Sequence, residues 1–295
     1  MTPLHARRRF LAALTSAVAI PSGATRLAGV QAPHSPHLVR VSDGYINPRQ
    51  VLLWESTRRE VREALEAGRL KAAIIPTGST EQHNEHLAMI QDTASAVLVA
   101  QQAALALWPQ VTVSTPVAVG ISPYWMERKG TLTLRPETFL AMVYDICASL
   151  RQHGIKTIFI VNGHGGNDQP LKEHVAEFRR KLDANIEACS YWDAFAEGAN
   201  REDARKYMES GVENIPGHSA EFETSFALAA FPERIHRDGV DYEKVKLNLK
   251  DQKDAADDRR YYYDSLKARA DKGEALIRIA VDWVAARLRR LIEGS

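Results

Sequence analysis

The sequence predicts an α/β fold: a mostly parallel central sheet covered on both faces by helices, which makes a three-layer α/β/α sandwich. Two continuous apolar runs carry this prediction, Ala72 to Pro76 and Thr157 to Val161. Unbroken runs of this kind mark strands buried on both faces, as parallel strands are, whereas half-exposed strands alternate. The third observation is their alternation with helical stretches, the pattern of βαβ units.

The elements follow in order. Val51 to Gly68 reads as a helix with many charges spaced i,i+4. After the Ala72 strand, Asp92 opens a helix rich in Ala, Val and Leu that ends near Trp108-Pro109. Val111 to Val119 reads as a second strand. Pro136-Glu137 begins a helix running to His153-Gly154, with proline suiting its first turn and glycine its exit. The Thr157 strand leads into Asn162-Gly163-His164-Gly165-Gly166-Asn167, a tight loop, whose glycines have an ordinary alternative reading as positive-φ turn residues. A helix from about Gln169 to Lys181, a strand from Asn185 to Ser190 and a helix from Glu221 to Ala230 come next. The charged last third closes on an amphipathic helix, with Ala275, Ile279, Val281, Trp283 and Leu288 on its apolar side. No internal repeat or linker interrupts residues 47–295, which read as one domain.

The N-terminus reads differently. Arg7-Arg8-Arg9-Phe10-Leu11 precedes an apolar stretch from Ala12 to Ile20 and small residues around Ser22-Gly23-Ala24. This is the layout of an export signal over residues 1–30, of the twin-arginine type that carries folded proteins, with a linker over 31–46. The expected location is periplasmic or secreted.

A balance of 38 basic and 37 acidic residues argues against nucleic-acid binding. No apolar run is long enough for a mature membrane span. The chain has two cysteines and no C-x-x-C pair, which excludes a thiolate zinc site. Cys147 falls on the apolar face of Phe139, Met142, Val143, Ile146 and Leu150, as a buried thiol would.

Three separated segments carry acids and histidines: Thr77-Gly78-Ser79-Thr80-Glu81-Gln82-His83 with Asp92, then Asn162 to Asn167 around His164, then Gly217-His218 to Glu223-Thr224-Ser225. The first two leave strands at their carboxyl ends, where open α/β sheets bind ligands. Oxygen and imidazole donors without thiolate suit zinc, manganese or iron(II). A carboxylate such as Asp92 can bridge two ions. Each residue taken alone also has an ordinary structural reading. Asp92 would cap a helix, a lone loop histidine is usually satisfied locally, and Glu221 and Glu223 would favour a helix dipole. Their joint occurrence is what points to a hydrolytic metal site.

These segments resemble the creatininase (creatinine amidohydrolase) family. Gly130-Thr131-Leu132-Thr133 after Ser122-Pro123, and Pro136-Glu137-Thr138, fit the same pattern. The resemblance implies a layered α/β/α fold, a divalent-metal centre of one or two ions, and homo-oligomers, hexamers in many members. By position, Glu81, Asp92 and His164 match the ligands of one ion, and His83 with the shared Asp92 those of a second. His218 matches the histidine that moves protons during ring opening. Glu223 matches the family acid that either completes the second shell or orients His218.

The departures concern the substrate. Gly165 and Gly166 stand where creatinine-hydrolysing members carry an aromatic residue and a glutamate, which removes an expected second-ion ligand. Asn84, Glu85, Ala88 and Ala220 also differ from the family pattern, and Tyr124-Trp125 replace an acid and a histidine. Tyr124, Trp125, Tyr191 and Trp192 are the expected substrate-binding aromatics, although an aromatic pair after a strand is more often core. The expected activity is hydrolysis of a non-peptide C–N bond in a cyclic amide or formamide, by a metal-activated water with His218 as proton shuttle. Two alternatives are a peptidase trimming a small modified peptide and a catalytically silent ligand-binding protein of the same fold. A metallophosphoesterase is set aside, because Asn162-Gly163-His164 has the wrong order and the Asp-x-His lead motif is missing.

Overall fold

Parallel pairing sets the two apolar runs side by side at the centre of one sheet. The computed structural model describes residues 50–237 and 252–294, all within one compact unit. The expected export signal and linker lie outside the described residues. In chain order the elements are α1 (Arg58–Glu66), β1 (Ala72–Thr77), α2 (Gln91–Ala106), β2 (Val111–Val113), α3 (Pro136–Gln152), β3 (Thr157–Asn162), α4 (Gly165–Leu182), β4 (Asn185–Ser190), α5 (Gly198–Ala204), α6 (Glu221–Ala230), α7 (Gln252–Ser265) and α8 (Ala270–Glu293).

The four strands lie in the order β2-β1-β3-β4, every pair parallel. β1 and β3 run in register from Ala72↔Thr157 to Thr77↔Asn162. Successive side chains alternate between the faces. Ala73, Ile75, Ile158, Ile160 and Ile186 pack against α3 and α4 through Phe139, Val143, Leu150, Leu171 and Phe178. Ala72, Ile74, Phe159 and Val161 pack on the other face against α2, α6 and α8. The fold is therefore the α/β sandwich of the sequence reading. Cys147 lies in the first core and Cys189 in the second, so the sheet separates them, and both are free thiols.

Several element bounds differ from expectation, each for a local reason. The first helix starts at Arg58 because Thr57 forms a capping box: its hydroxyl accepts from the Glu60 N–H at 3.3 Å and its own N–H donates to Glu60 at 2.6 Å. Upstream, Leu52 bridges to Val113 and Leu53–Glu55 makes one 3-10 turn. β2 stops at Val113, short of Val119. Pro116 has no N–H to offer a ladder, and Val117 keeps a single bridge to Thr77. α4 begins at Gly165 rather than near Gln169, so His164 is its N-cap residue. In α8 the buried face runs through Leu276, Ile277, Ala280, Val284, Leu288 and Leu291, while Ile279, Val281 and Trp283 flank it.

Candidate metal centre

Chain order places the site. From β1 the chain moves to β2 on one side and then to β3 on the other, so the switch point lies between β1 and β3. Open α/β sheets bind ligands at that crevice, beyond the strand carboxyl ends. Thr77 and Asn162 end the two strands as register partners, and the Thr77 hydroxyl donates to Asn162 Oδ1 at 3.1 Å.

Two glycines let the first turn of α2 enter the crevice. A Cβ on Gly78 would lie 2.5 Å from the Thr93 backbone, and one on Gly163 would lie 2.3 Å from the Asp92 carbonyl. None of Gly163, Gly165 and Gly166 has positive φ, which removes the alternative reading of them as turn residues. Close approach is what they provide. Asp92 thereby stands in the first turn of α2 with its side chain between the two strand exits, and Ile90, not Asp92, is the N-cap residue.

Asparagines tie the surrounding loops together. Asn162 Nδ2 donates to the His164 carbonyl at 2.7 Å and to Ser190 Oγ at 2.9 Å, and its Oδ1 accepts from the His164 N–H at 3.1 Å. Asn167 Nδ2 donates to the Gly78 carbonyl at 3.0 Å, while its Oδ1 accepts from the Ile121 N–H at 3.0 Å. Sequence reasoning assigned no role to either. Their signal was present: two amides flank His164 at the end of a buried strand.

The acids and histidines of all three segments converge. His83 Nε2 lies 3.0 Å from Asp92 Oδ1 and 3.5 Å from Glu223 Oε2. His164 Nδ1 lies 2.9 Å from Asp92 Oδ2 and 3.4 Å from Glu81 Oε1. None of these five residues is more than 5% exposed. Three compact donor sets result among the described residues: Glu81–His83–His218, then Glu81–Asp92–His164 and His83–Asp92–Glu223, of which the last two share Asp92. The His83 set with Asp92 contains Glu223, the acid left with two readings by the sequence, so the Gly165-Gly166 departure does not leave that set short of a donor. Glu223 is held in place by the Ser219 N–H, at 2.6 Å from Oε2.

The donors fit a divalent metal ion. Glu81 Oε2, His83 Nε2 and Asp92 Oδ2 are buried without a hydrogen-bond partner, although charges stand close by. Buried polar atoms rarely remain so. The histidines are also turned correctly. His83 Nδ1 lies 3.2 Å from the Glu81 carbonyl and His164 Nε2 3.0 Å from the Ile121 carbonyl. A carbonyl only accepts, so those nitrogens carry the protons, and in the neutral rings the opposite nitrogens face the carboxylates as lone pairs.

Electrostatics point the same way. Burial alone would lower His83 and His164, but the neighbouring carboxylates, Asp92 foremost, outweigh it and raise both to about 10. Burial raises Glu223 to about 8 against the pull of His83, with Asp92 and Glu81 adding to the rise. Asp92 is pushed up by burial yet held below the usual carboxylate range by His83 and His164. Protons collect where cations would otherwise balance three carboxylates.

The aromatic residues divide. Trp125 stacks on His218 with ring centroids 4.7 Å apart, and the Tyr124 hydroxyl lies 3.3 Å from His164 Nε2. A Cβ on Gly166 would fall 2.0 Å from the Ile121 carbonyl and 2.8 Å from that hydroxyl, so the loop bearing Tyr124 fills the space a side chain there would need. Tyr191 is a correction. The chain turns under α6 after Ser190, and Tyr191 is buried against Phe222 and Phe226. Trp192 packs on the same core, and the buried Tyr191 hydroxyl stays close enough to Glu223 and Asp92 that, after burial, both push its pKa up. His218 is the most exposed member of the centre, 4.5 Å ring to ring from His83 and 3.7 Å from Glu81 Oε1. Burial, then His83, lowers its pKa well below the ordinary histidine value.

Comparisons agree with this architecture. The family model described as creatininase, creatinine amidohydrolase, matches residues 54–288. A 3-dehydro-scyllo-inosose hydrolase of Thermotoga maritima is 30% identical over 195 residues, 65% of this chain and 60% of that protein. A creatinine amidohydrolase of Pseudomonas putida is 27% identical over 207 residues, 65% of this chain and 76% of its own. A mycofactocin precursor peptide peptidase of Mycolicibacterium smegmatis is 33% identical over 134 residues, 44% of this chain and 54% of its own. The chain thus spans about half to three quarters of these relatives' length. A manganese creatininase structure superposes with a TM-score of 0.65 at 23% identity, covering 81% of this chain and 98% of that one. A creatininase mutant of the Zn-Zn type gives the same TM-score and identity, covering 81% and 97%.

Proposed function

Because the chain belongs to the creatininase family of hydrolases, we propose that it is a metal-dependent amidohydrolase acting on a small cyclic amide or formamide. One observation carries this reading: five buried donors from three segments converge, and three of their atoms have no hydrogen-bond partner. Glu81, Asp92 and His164 would hold one ion, and His83, Asp92 and Glu223 a second. Charge supports two ions. Among the described residues no lysine or arginine pairs with Glu81, Asp92 or Glu223. One divalent ion would leave three carboxylates with an excess negative charge, which is costly to bury. Zinc and manganese both suit oxygen and imidazole donors, and the names of the related structures mention both metals.

Divalent ions supply Lewis acidity and a nucleophilic water at neutral pH. The chain's own residues do the rest. The Asn162 and Asn167 amides keep the strand exits fixed, so the donors need little rearrangement during reaction. Trp125 and Tyr124 offer a flat substrate aromatic surface beside His218 and His164. His218, next to the carboxylates yet the most accessible group, would meet the leaving nitrogen or the carbonyl oxygen. Residues 7–24 support export of the same protein.

The test is metal analysis of purified protein followed by a turnover screen of cyclic amides, formamides and short peptides. Turnover should vanish on chelation and return with one divalent metal. Glu81→Gln and His164→Ala should lose metal and activity together. Either variant retaining full metal and full turnover would sink the assignment, and turnover of peptides alone would replace it with the peptidase reading.

A further inference from the structure

Gln82 stands between two of the donors and is nearly buried, and both ends of its side chain are engaged. Asn84 has a φ of 55°, in the left-handed region that asparagine tolerates, and its backbone N–H lies 3.0 Å from Gln82 Oε1. A backbone N–H can only donate. The end of the amide facing it must therefore be the carbonyl oxygen, which fixes the flip of the side chain. The opposite end, the Nε2 amino group, lies 2.8 Å from His218 Nε2. An amide amino group also only donates, so His218 Nε2 must meet it with a lone pair. A neutral imidazole carries one proton, and here that proton falls on Nδ1, the nitrogen turned toward Glu81 Oε1 at 3.7 Å. Trp125 and His83, with ring centroids 4.7 and 4.5 Å away, crowd the imidazole and oppose its reorientation.

We propose that Gln82 is a positioning residue that locks His218 in the Nδ1–H tautomer, so that His218 faces the substrate as a hydrogen-bond donor rather than as a proton acceptor. The tautomer rests on geometry alone; its consequence for turnover rests on the hydrolase reading above. A donor at Nδ1 meets an oxygen that gains negative charge as a carbonyl is attacked, and the proton stays on nitrogen throughout that contact. The other tautomer would present a lone pair to the same oxygen and repel it.

The experiment uses zinc-loaded protein carrying nitrogen-15 histidine, with the His218 signals identified by their loss in His218→Ala. Native protein should show a pyrrole-type Nδ1 and a pyridine-type Nε2. Gln82→Glu places an acceptor against Nε2 and should reverse the two. Gln82→Met removes the donor without adding an acceptor and should give a mixture. With a substrate found in the screen, Gln82→Glu should lower kcat about a hundredfold, with zinc content kept and KM changed far less. A pyridine-type Nδ1 in native protein overturns the proposal. So does a Gln82→Glu variant with reversed nitrogens and native kcat. The predicted tautomer together with no turnover of any amide would uphold the Gln82 assignment and sink the hydrolase reading.

Discussion

At position 163 the absence of one methyl group sets how near the His164 loop comes to Asp92. An alanine Cβ there would lie 2.3 Å from the Asp92 carbonyl and 3.1 Å from Ala96 Cβ, so α2 would have to retreat. Gly163→Ala should cost about 1–3 kcal/mol in urea unfolding and weaken metal binding by moving Asp92. Gly165→Ala is the internal control, because its Cβ meets nothing within 4 Å and should leave both nearly unchanged. Equal effects of the two substitutions would contradict this account. The donors themselves were legible in the sequence, since Glu81, His83, Asp92, His164 and Glu223 combine metal-binding types with strand-exit positions. The reason for the glycines was not, because close approach depends on α2, a helix that no local pattern places against residue 163. Tyr191 was misread for a similar cause: an aromatic after a strand looks the same whether the chain then runs over the site or beneath α6.

The first turn of α6 turns two acids in different directions. Glu223 faces the metal centre, while Glu221 accepts from the Glu209 and Ser210 N–H groups at 3.1 and 2.7 Å and from Lys272 Nζ at 2.5 Å. Lys272 is buried at the start of α8, and the adjacent Gly273 has room only for hydrogen, its Cβ position being 1.9 Å from the Ser225 carbonyl. This ion pair docks α8 on the helix that carries Glu223. Lys272→Met would leave the Glu221 carboxylate buried without its cation, a loss of about 3–5 kcal/mol. Adding Glu221→Gln should restore part of it, which a double-mutant cycle by denaturant unfolding would measure; strict additivity would show the pair to be uncoupled. Sequence reasoning passed over Lys272 because a lysine in a charged stretch looks solvated. Element types were legible from the apolar runs, and so were the starts at Ala72, Pro136, Thr157, Asn185 and Glu221; the starts of α1 and α4 were not, being fixed by the Thr57 cap and by the Asn162–His164 hydrogen bonds.

Across the whole molecule, the protons held by the metal-free centre link stability to pH. His83 and His164, raised to about 10, and Glu223, raised to about 8, bind protons more tightly folded than unfolded. Their contribution is complete below the unfolded values and is lost as pH rises through the folded ones. Metal-free protein should therefore lose thermal stability between pH 6.5 and 10, while metal, which displaces those protons, should flatten the curve. Parallel melting curves with and without chelator over that range would refute the linkage. Asp92 has the opposite sign: its lowered pKa stabilises the fold above the ordinary carboxylate range and that support fades in acid. At this scale the parallel, two-faced sheet was legible from alternation. The strand order was not, because it depends on which side of β1 each crossover takes.

The donors stand before α2 and in its first turn, after β3 and in the first turn of α6. Ions bound there would join three distant lengths of chain at one point, as a cross-link does. Fraying of a single helix end would leave most of the donors engaged, so release would await a cooperative opening of the sheet and both helix layers. Metal exchange would then keep time with the slowest breathing of the fold, and the ion loaded at first folding would be the one the protein retains.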